Sequence, residues 1–414
     1  MISPVETWVA ERTSLQGNLN PMTLRNWQIE KLNDLISYAS ENTKFYHGKL
    51  HSTRDITELP FTSPSDIAAD PFAFLAIPQS LITRVTTLAN SGTTHLKKRI
   101  FFSKADLERT IDFFAVGMST MVRKGEKAQI LISNRTENSL GSLLKESLSR
   151  IGVTSEILGA IKTVNVAIEV SKGADCLIGM PAELLYMSHA APELRPSSVL
   201  LAADYIPQSV INSIKETWKC DVYMHYGHTE FGFGCAVDCD QHNGYHLRDA
   251  DLIFEIIDFK TGKPAKIGDS GEIVITTLSN EAMPLIRYRT GNLSRFINTP
   301  CGCGSLLPRL GRIEGRIDSN ITIGNGNSVS IHQLDEIISA NPKVLGFYAL
   351  LKHVGKRNIL HLTIDASNYI DLTTLTAMLP PELNIEVSYS KADPFSHREK
   401  RRIHIGNSNN DVAK

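Results

Sequence analysis

The sequence is short of cysteine, of net charge and of long apolar runs, and each shortage excludes a class of protein. Six cysteines among 414 residues are too sparse for a disulfide scaffold. A formal net charge of -1 provides no basic surface for a polyanion, so we expect no nucleic-acid partner. No run of about 18 apolar residues occurs, and the N terminus lacks a basic segment followed by an apolar one. We therefore expect a cytoplasmic protein with no membrane partner.

What the chain does have is a globular composition over a considerable length. Hydrophobic residues make up 42% of the sequence and charged residues 21%, which is typical of folded domains. The 414 residues exceed one ordinary domain of roughly 100 to 200 residues. We therefore predict two domains, residues 1–315 and 316–414, with the boundary at residues 315–318.

Apolar periodicity predicts a layered α/β domain in the first part of the chain. Over residues 24–39, apolar side chains recur at helical spacing. Residues 128–132 and 198–202 are short apolar runs, each followed by a segment long enough for a helix, which is the alternation of an α/β fold. Residues 252–257 and 272–277 flank a Thr-Gly-Lys-Pro turn and predict a β-rich subdomain.

After residue 316 the pattern changes to that of a small α+β domain. Helices are predicted near residues 331–338 and 372–379, and strands near residues 347–351, 359–364 and 385–389. The predicted fold class is therefore a large α/β domain with a β-rich subdomain, followed by a small α+β domain.

The first segment with a chemical pattern runs from Asn90 to Arg99. Small hydroxyl residues surround Gly92 there and lead into Lys97 and Lys98. Glycine lets backbone N–H groups turn toward a phosphate, the hydroxyls donate hydrogen bonds, and a lysine offsets the charge. The Walker pattern Gly-x4-Gly-Lys-Ser/Thr is absent, and such a loop by itself is more often a solvated turn. The segment indicates a triphosphate site only in combination with other motifs.

A second candidate is the segment His225-Tyr226-Gly227-His228-Thr229-Glu230, which follows the apolar residues 222–224. A strand end would deliver an aromatic ring, a hydroxyl and a carboxylate to one place. Tyr226 fits stacking on a base, and Glu230 fits a Mg²⁺ ion that bridges phosphate oxygens. A strand-end turn with an exposed glutamate explains the same residues. This motif therefore also indicates a nucleotide site only in combination with others.

Three further motifs follow in order along the chain. They are Tyr288-Arg289-Thr290-Gly291-Asn292, Gly315-Arg316-Ile317-Asp318 and Arg398-Glu399-Lys400-Arg401-Arg402-Ile403. Together with the two earlier motifs, they make the chain resemble the acyl-adenylate-forming superfamily, and specifically its phenylacetate-CoA ligase-like branch. The resemblance extends to residues 179–181, 254–258, 271–272 and 283–290, and it covers nearly the whole chain.

The resemblance implies a role for each matching residue. The matches are Ser91, Thr93, Thr94 and Lys98 in the phosphate loop, Asp204 beside adenine, Tyr226 and Thr229 flanking AMP, Glu230 as the Mg²⁺ ligand, Asn292 on the ribose, Arg316 on the nucleotide, Asp318 at the hinge and Lys400 as the catalytic lysine. The fold implied is a large adenylation domain with a mobile C-terminal lid domain.

The activity implied is the ATP-dependent activation of a carboxylic acid. A carboxylate attacks the α-phosphate of ATP to give acyl-AMP and pyrophosphate, and the thiol of coenzyme A then displaces AMP. The branch handles aryl and medium-sized apolar acids, so such an acid is expected, with ATP, Mg²⁺ and CoA as cofactors. Whether the chain forms a homodimer remains open. Two rival functions also remain: acyl transfer to an amine, a carrier-protein thiol or a protein cysteine, and non-catalytic nucleotide binding by the same fold.

Three departures from the family pattern keep the non-catalytic alternative open. His95 and Lys97 replace the usual Gly and Pro of the phosphate loop, which restricts the turn but adds positive charge. Asn292 replaces the usual Asp, and an amide accepts from only one ribose hydroxyl without charge assistance, a loss of about 1 to 2 kcal/mol. Glu399 replaces the Gly before Lys400 and brings a negative charge beside the lysine.

Cysteine and histidine residues cluster in the β-rich part of the sequence. Cys239 and His246 form one pair, and Cys301 and Cys303 form another. Thiolate and imidazole ligands suit a tetrahedral Zn²⁺ ion with no open position, which is a structural site. The Cys-x-Cys spacing is tighter than the common Cys-x2-Cys, so the spacing is a weak signal. Some phenylacetate-CoA ligase-like proteins look similar here, which strengthens the prediction.

Four other residues complete the set of candidates. Cys235 and His242 are rival ligands for the same ion. Cys176 and Cys220 are expected to be buried small side chains.

Overall fold

The computed structural model describes residues 2–89, 97–132, 134, 136, 138–202, 205–324, 327–341, 343–354, 357–366, 378–389 and 403–406. The residues singled out from the sequence that lie outside these ranges are Asn90, Ser91, Gly92, Thr93, Thr94, His95, Asp204, Arg398, Glu399, Lys400, Arg401 and Arg402.

Helices and strands alternate over much of the described chain. Its α-helices are α1 (Pro4–Thr13), α2 (Pro21–Asn42), α3 (Pro64–Ala69), α4 (Lys104–Met118), α5 (Leu140–Arg150), α6 (Val164–Ser171), α7 (Pro181–Ala190), α8 (Gln208–Trp218) and α9 (Ile331–Ser339). Its strands are β1 (Arg84–Ala89), β2 (Lys97–Phe102), β3 (Lys127–Ile130), β4 (Thr154–Ile157), β5 (Cys176–Gly179), β6 (Ser198–Leu201), β7 (Asp221–Tyr226), β8 (Ala236–Val237), β9 (Tyr245–Leu247), β10 (Leu252–Ile257), β11 (Gly271–Thr277), β12 (Tyr288–Ser294), β13 (Phe296–Ile297), β14 (Arg309–Leu310), β15 (Gly315–Arg316), β16 (Asn320–Gly324), β17 (Asn327–Ser330), β18 (Val344–Val354), β19 (Arg357–Ala366), β20 (Leu383–Tyr389) and β21 (Ile403–Gly406).

The chain divides into two compact units, and each unit contains two separate stretches of sequence. Unit 1 comprises Met1–Gly159 and Tyr223–Ile313, and unit 2 comprises Ala160–Val222 and Glu314–Lys414. The domain division at residues 315–316 stays a prediction.

The helix predicted near residues 24–39 of unit 1 is α2, and its ends follow from local chemistry. The Asn20 side chain accepts from the backbone of Met22 and Thr23, while the Thr23 hydroxyl accepts from the Asn20 backbone, which is a capping box. Pro21 stands at the first helical position, where its missing N–H costs nothing. The buried stripe comprises Leu24, Gln28, Leu32, Leu35, Ile36 and Ala39.

Three groups of strands in unit 1 matter for the sites described below. β1 and β2 form an antiparallel hairpin whose connection is residues 90–96. β10, β11 and β12 pair in that order, all antiparallel. β7, β8, β9, β14 and β13 form an antiparallel ribbon of mostly short strands.

Unit 2 contains the α/β alternation that the sequence predicts around residues 198–202. β5 and β6 are parallel neighbours joined through α7, as a crossover connection requires. β18 and β19 are antiparallel at the centre of a second sheet, with β21 and β20 parallel at its edges. Buried Leu351, Leu360 and Leu362 on this sheet pack in one core with Leu334 of α9. Most of the predicted helix at residues 372–379 lies outside the described residues.

None of the helices in the described part of the chain combines the length and the apolar character needed to cross a bilayer.

Candidate active site

Segments of unit 1 that are distant in sequence bring a group of polar side chains together in its interior. Lys98 lies on β2, Glu230 lies in the 3-10 turn Thr229–Phe231 that follows β7, and Tyr288 lies on β12. Along β12, buried residues alternate with partly buried ones, so Tyr288 and Asn292 face the same buried side.

Lys98 and Glu230 form a buried ion pair. Lys98 Nζ lies 2.6 Å from Glu230 Oε1, and the two side chains are 10% and 1% exposed. The Tyr288 hydroxyl donates to the same carboxylate oxygen at 2.8 Å and accepts from Lys98 Nζ at 3.0 Å. His228 Nδ1 lies 2.5 Å from the other carboxylate oxygen. Both oxygens of Glu230 are therefore engaged.

The neighbours of Glu230 control its ionisation. Burial acts to raise the pKa of this carboxyl, but the charge and hydrogen bond of His228, followed by those of Lys98, outweigh burial and hold the pKa well below its usual value. Glu230 is therefore ionised at neutral pH, as a cation ligand must be.

Asn292 and Tyr226 meet on the same buried side of β12. Asn292 Nδ2 donates to the Tyr226 hydroxyl at 3.2 Å, and both side chains are fully buried. The backbone N–H of Asn292 donates to the Thr290 hydroxyl at 3.1 Å. The Asn292 amide therefore contacts the Tyr226 phenol, and Asn292 occupies the position where the family pattern has an Asp.

The turn that carries Glu230 depends on Gly227. A Cβ atom at this position would lie 1.8 Å from the Phe233 carbonyl oxygen, which is closer than atoms can approach. The Phe233 N–H donates to the His228 carbonyl at 2.9 Å and closes the turn. Phe233 itself adopts a left-handed backbone with a φ of 72°, which is unusual for an aromatic residue.

Arg316 and Asp318 belong to unit 2 and contact each other. Arg316 Nε donates to Asp318 Oδ1 at 2.9 Å, with side-chain exposures of 20% and 48%. The residue predicted to contact the nucleotide is therefore tied to the residue predicted to act as the hinge.

The structure pairs predicted site residues from distant motifs, Lys98 with Glu230 and Tyr226 with Asn292, while Thr229 is partly buried in the same turn as Glu230. The roles of these residues stay predictions. The sequence motifs contain His228 and Tyr288 but indicate no role for either residue. The signal for Tyr288 was present, because a two-residue period along a strand places it on the same face as Asn292.

A second group in unit 1 contains Cys239, His246, Cys301 and Cys303. All four side chains are buried, and their potential ligand atoms lie within 4.8 Å of one another. Cys239 Sγ lies 3.7 Å from Cys301 Sγ, and Cys303 Sγ lies 3.6 Å from His246 Nε2. A tetrahedral Zn²⁺ ion with bonds of about 2.3 Å to sulfur and 2.0 Å to nitrogen requires separations of roughly 3.5 to 3.8 Å. Two of the separations match this geometry, and all four ligand atoms lie within 4.8 Å of one another, so the group is compatible with a single zinc site.

Short strands of the ribbon bring these ligands together. His246 lies on β9 between β8 and β14, and Cys239 follows β8. Cys301 and Cys303 lie in the loop between β13 and β14, where the Gly304 N–H donates to the Cys301 carbonyl at 2.9 Å. Burial lowers the pKa of His246 to about 4, so its ring is neutral and can offer a lone pair to a metal.

The rival ligands have other environments. Cys235 and His242 are not members of the metal-ligand group found among the described residues. His242 Nδ1 lies 2.8 Å from Asp238 Oδ2, and burial raises the pKa of Cys235 to about 12. Cys176 and Cys220 are buried free thiols, as expected.

Comparison with known proteins finds similarity over most of the chain. No family model matches the chain. It is 27% identical over 372 residues to a phenylacetate-coenzyme A ligase of Thermus thermophilus, covering 83% of this chain and 82% of the relative. It is 26% identical over 405 residues to a phenylacetate-coenzyme A ligase of Aromatoleum evansii, covering 90% and 87%.

A solved structure shows the same fold over nearly the whole chain. It is a 2-hydroxyisobutyryl-CoA ligase in the postadenylation state in complex with R3-HIB-AMP. The TM-score is 0.77 at 18% identity, and the match covers 93% of this chain and 89% of the other. The predicted fold class, a large α/β part with a β-rich section followed by an α+β C-terminal part, is confirmed by this match.

Proposed function

The chain belongs to the acyl-adenylate-forming superfamily and to its phenylacetate-CoA ligase-like branch, and from this premise we propose that it is an AMP-forming acid-CoA ligase. The observation that carries the proposal is the buried Lys98 and Glu230 pair, which joins the phosphate-loop motif to the cation-ligand motif at 2.6 Å. Desolvation makes a buried ion pair costly, and ionisable groups with perturbed pKa values cluster at functional sites.

The proposed reaction has two steps at one site. A substrate carboxylate attacks the α-phosphorus of ATP, forms a mixed anhydride and releases pyrophosphate. The CoA thiol then attacks the acyl carbon, AMP leaves, and the thiol proton passes to solvent. Negative charge gathers at phosphorus in the first step, so positively charged and hydrogen-bonding groups that act there lower the barrier.

Glu230 is the proposed Mg²⁺ ligand, and its ionised carboxylate has the chemistry that a hard cation prefers. When bound, Mg²⁺ would offset phosphate charge. Lys98 and Tyr288 contact one Glu230 oxygen and His228 contacts the other, so a bound ion would compete with these contacts for the carboxylate. We propose that Lys98 yields, because its ammonium can then pair with the oppositely charged triphosphate.

The nucleotide would be held by the remaining residues of the family pattern. Tyr226 and Thr229 would flank AMP, and the Asn292 amide would bind the ribose. The other proposed contacts are Ser91, Thr93, Thr94, Asp204 and Arg316, with Lys400 acting on the phosphate and Asp318 as the hinge.

The buried Cys239, His246, Cys301 and Cys303 would hold a structural Zn²⁺ ion. Three thiolates and an imidazole fill a tetrahedral shell and leave no position for substrate. The expected contribution of the ion is to hold the ribbon of short strands together. A cytoplasmic location is part of the same proposal, and six free cysteines suit a reducing compartment.

The acid is proposed to be an aryl or medium-sized apolar acid, since the curated relatives are phenylacetate-coenzyme A ligases. The test is ATP–pyrophosphate exchange with purified protein over a panel of carboxylic acids. Acids that support exchange are then incubated with ATP and CoA, and in parallel with hydroxylamine to trap acyl-AMP.

Exchange with an apolar acid and a matching acyl-CoA product would support the proposal. Exchange and hydroxamate without acyl-CoA would place the acceptor elsewhere, on an amine or a protein thiol. Absence of exchange for every acid, with ATP still bound, would favour a non-catalytic nucleotide-binding protein.

A further inference from the structure

Arg309 is a fully buried cation with no carboxylate partner among the described residues. Its side chain is 0% exposed. Its two terminal nitrogens donate to the backbone carbonyls of Asn243 and Thr299, the latter at 2.8 Å. Its third nitrogen, Nε, is buried and has no hydrogen-bond acceptor in the described part of the chain.

Other buried arginines of unit 1 have a carboxylate partner. Arg248 lies 2.6 Å from Asp251, and Arg287 lies 2.9 Å from Glu255. A buried charge that lacks a counter-charge is costly. Arg309 therefore requires a negatively charged neighbour, and among the described residues no carboxylate fills that role.

The Cys239, His246, Cys301 and Cys303 group is the neighbour that can supply it. Arg309 is the register partner of His246 between β14 and β9. Directly paired residues on adjacent strands project to the same face of a sheet, so the Arg309 and His246 side chains are neighbours. Three thiolates, a neutral imidazole and Zn²⁺ would carry one net negative charge, and all four ligands are buried.

We propose that Arg309 is the counter-ion of this metal centre, balancing its net negative charge and offering the Nε–H group to a metal-bound thiolate. This inference rests on the zinc site proposed above. It explains why a guanidinium with an unused donor is buried beside the ribbon. Outer contacts of this kind stabilise the charged, metal-bound state of the ligands.

The test measures Zn²⁺ affinity of the full chain by competition with a chromophoric chelator. Arg309→Gln keeps an N–H donor and removes the charge, whereas Arg309→Lys keeps the charge and loses the planar donor group. Arg287→Gln is the matched control, because it neutralises an equally buried arginine that pairs with Glu255.

We expect Arg309→Gln to weaken Zn²⁺ binding by about 10- to 100-fold, Arg309→Lys to recover most of the loss, and Arg287→Gln to leave the affinity unchanged. Substitution with Co²⁺ should give the absorption of a tetrahedral thiolate and imidazole site in every folded variant. Wild-type affinity in Arg309→Gln, or equal losses in the Gln and Lys variants, would overturn the counter-ion role.

A double substitution tests the charge argument directly. Cys303→His would make the ligand set two thiolates and two imidazoles, whose Zn²⁺ complex is neutral. Arg309→Gln should then cost much less affinity than in wild type, because the centre no longer needs a counter-ion. If Arg309→Gln alone does not fold, recovery of folding in the Cys303→His background supports the inference and continued misfolding contradicts it. A wild-type chain without any metal would instead refute the zinc proposal itself.

Discussion

Glu230 combines a structural contact with a proposed chemical role in one side chain. Lys98 and Tyr288 contact one of its oxygens and His228 contacts the other. Removal of one partner of a buried ion pair typically costs about 3 to 5 kcal/mol. A substitution at Glu230 must therefore separate loss of metal binding from loss of folding, and the nearly isosteric Gln is suited to this.

We expect Glu230→Gln to raise the Mg²⁺ concentration needed for half-maximal ATP–pyrophosphate exchange, because an amide oxygen is a poorer ligand for a hard cation than a carboxylate. The measurement is the exchange rate against Mg²⁺ at fixed ATP, with thermal unfolding in parallel. Glu272→Gln is the control, since Glu272 is also buried and pairs with Arg289. An unchanged Mg²⁺ curve, or the same displacement in both variants, would remove Glu230 from the metal site.

Asn292→Asp should tighten ATP binding, because a carboxylate can accept from both ribose hydroxyls with charge assistance. The gain expected is about 1 to 2 kcal/mol, or roughly ten-fold in affinity. The Tyr226 hydroxyl, which now accepts from the amide, can donate to the new carboxylate and keep the contact.

The readout for Asn292→Asp is the dissociation constant of ATP and of an analogue that lacks one ribose hydroxyl. The gain should shrink with the analogue. Equal gains with both nucleotides, or weaker ATP binding, would show that the ribose does not contact this position.

At the residue scale, the sequence predicts which side chains belong to motifs but not which of them touch. Lys98 and Tyr288 are 190 residues apart in the chain and contact each other directly. The motif that contains both residues predicts a role for Asn292 alone, whereas Tyr288 contacts the same Glu230 oxygen as Lys98. Lys98 on β2 and Tyr288 on β12 reach the same Glu230 carboxylate only in the folded protein.

At the element scale, periodicity predicts long elements and fails for short ones. The long helix α2 spans enough residues to show its predicted apolar period, whereas β10 and β11 are buried along their whole length and follow the predicted apolar runs on either side of a turn. β8, β13 and β14 have two residues each, so no alternation can reveal them. These short strands nevertheless support the Cys and His group, which the sequence indicated only through ligand chemistry.

The Cys and His group in the ribbon of short strands leads to a prediction about metal content. The purified chain should carry about one Zn²⁺ ion, and Cys301→Ser combined with Cys303→Ser should release it and lower the thermal unfolding temperature. The adenylation rate should decrease only in proportion to the loss of folded protein, since a closed tetrahedral site does not contact substrate.

Metal content and calorimetry provide the measurements for this variant. Cys220→Ser is the control, because it alters a buried thiol outside the group and should keep the metal. The idea fails if wild-type protein prepared without chelator contains no zinc, or if the double variant unfolds at the wild-type temperature.

At the scale of the whole molecule, the order of motifs carried more information than any single motif. Each of the five motifs alone fits an ordinary turn or basic patch, yet their sequence from Asn90 to Ile403 predicted a superfamily that similarity over most of the chain supports. The two compact units could not be predicted in this way, because they depend on contacts between distant segments. In unit 2, for example, the Tyr205 hydroxyl donates to Glu336 at 2.7 Å across 131 residues of sequence.

Lys400 offers the test that separates the two proposed half-reactions of the complete enzyme. Its ammonium is proposed to act at phosphorus, where charge develops only while acyl-AMP forms. Lys400→Ala should therefore slow ATP–pyrophosphate exchange on the order of 10² to 10³ fold, while conversion of supplied acyl-AMP and CoA to acyl-CoA should change far less.

The neighbouring Arg401→Ala is the matched control for Lys400→Ala, since it removes a positive charge from the same segment and should leave both half-reactions near wild type. If both substitutions slow exchange equally, the segment contributes general positive charge and Lys400 has no special part in it. If Lys400→Ala slows both half-reactions equally, the lysine supports the fold or nucleotide binding and does not act at phosphorus. Only a selective loss of the first half-reaction agrees with a group that stabilises the transition state of adenylate formation.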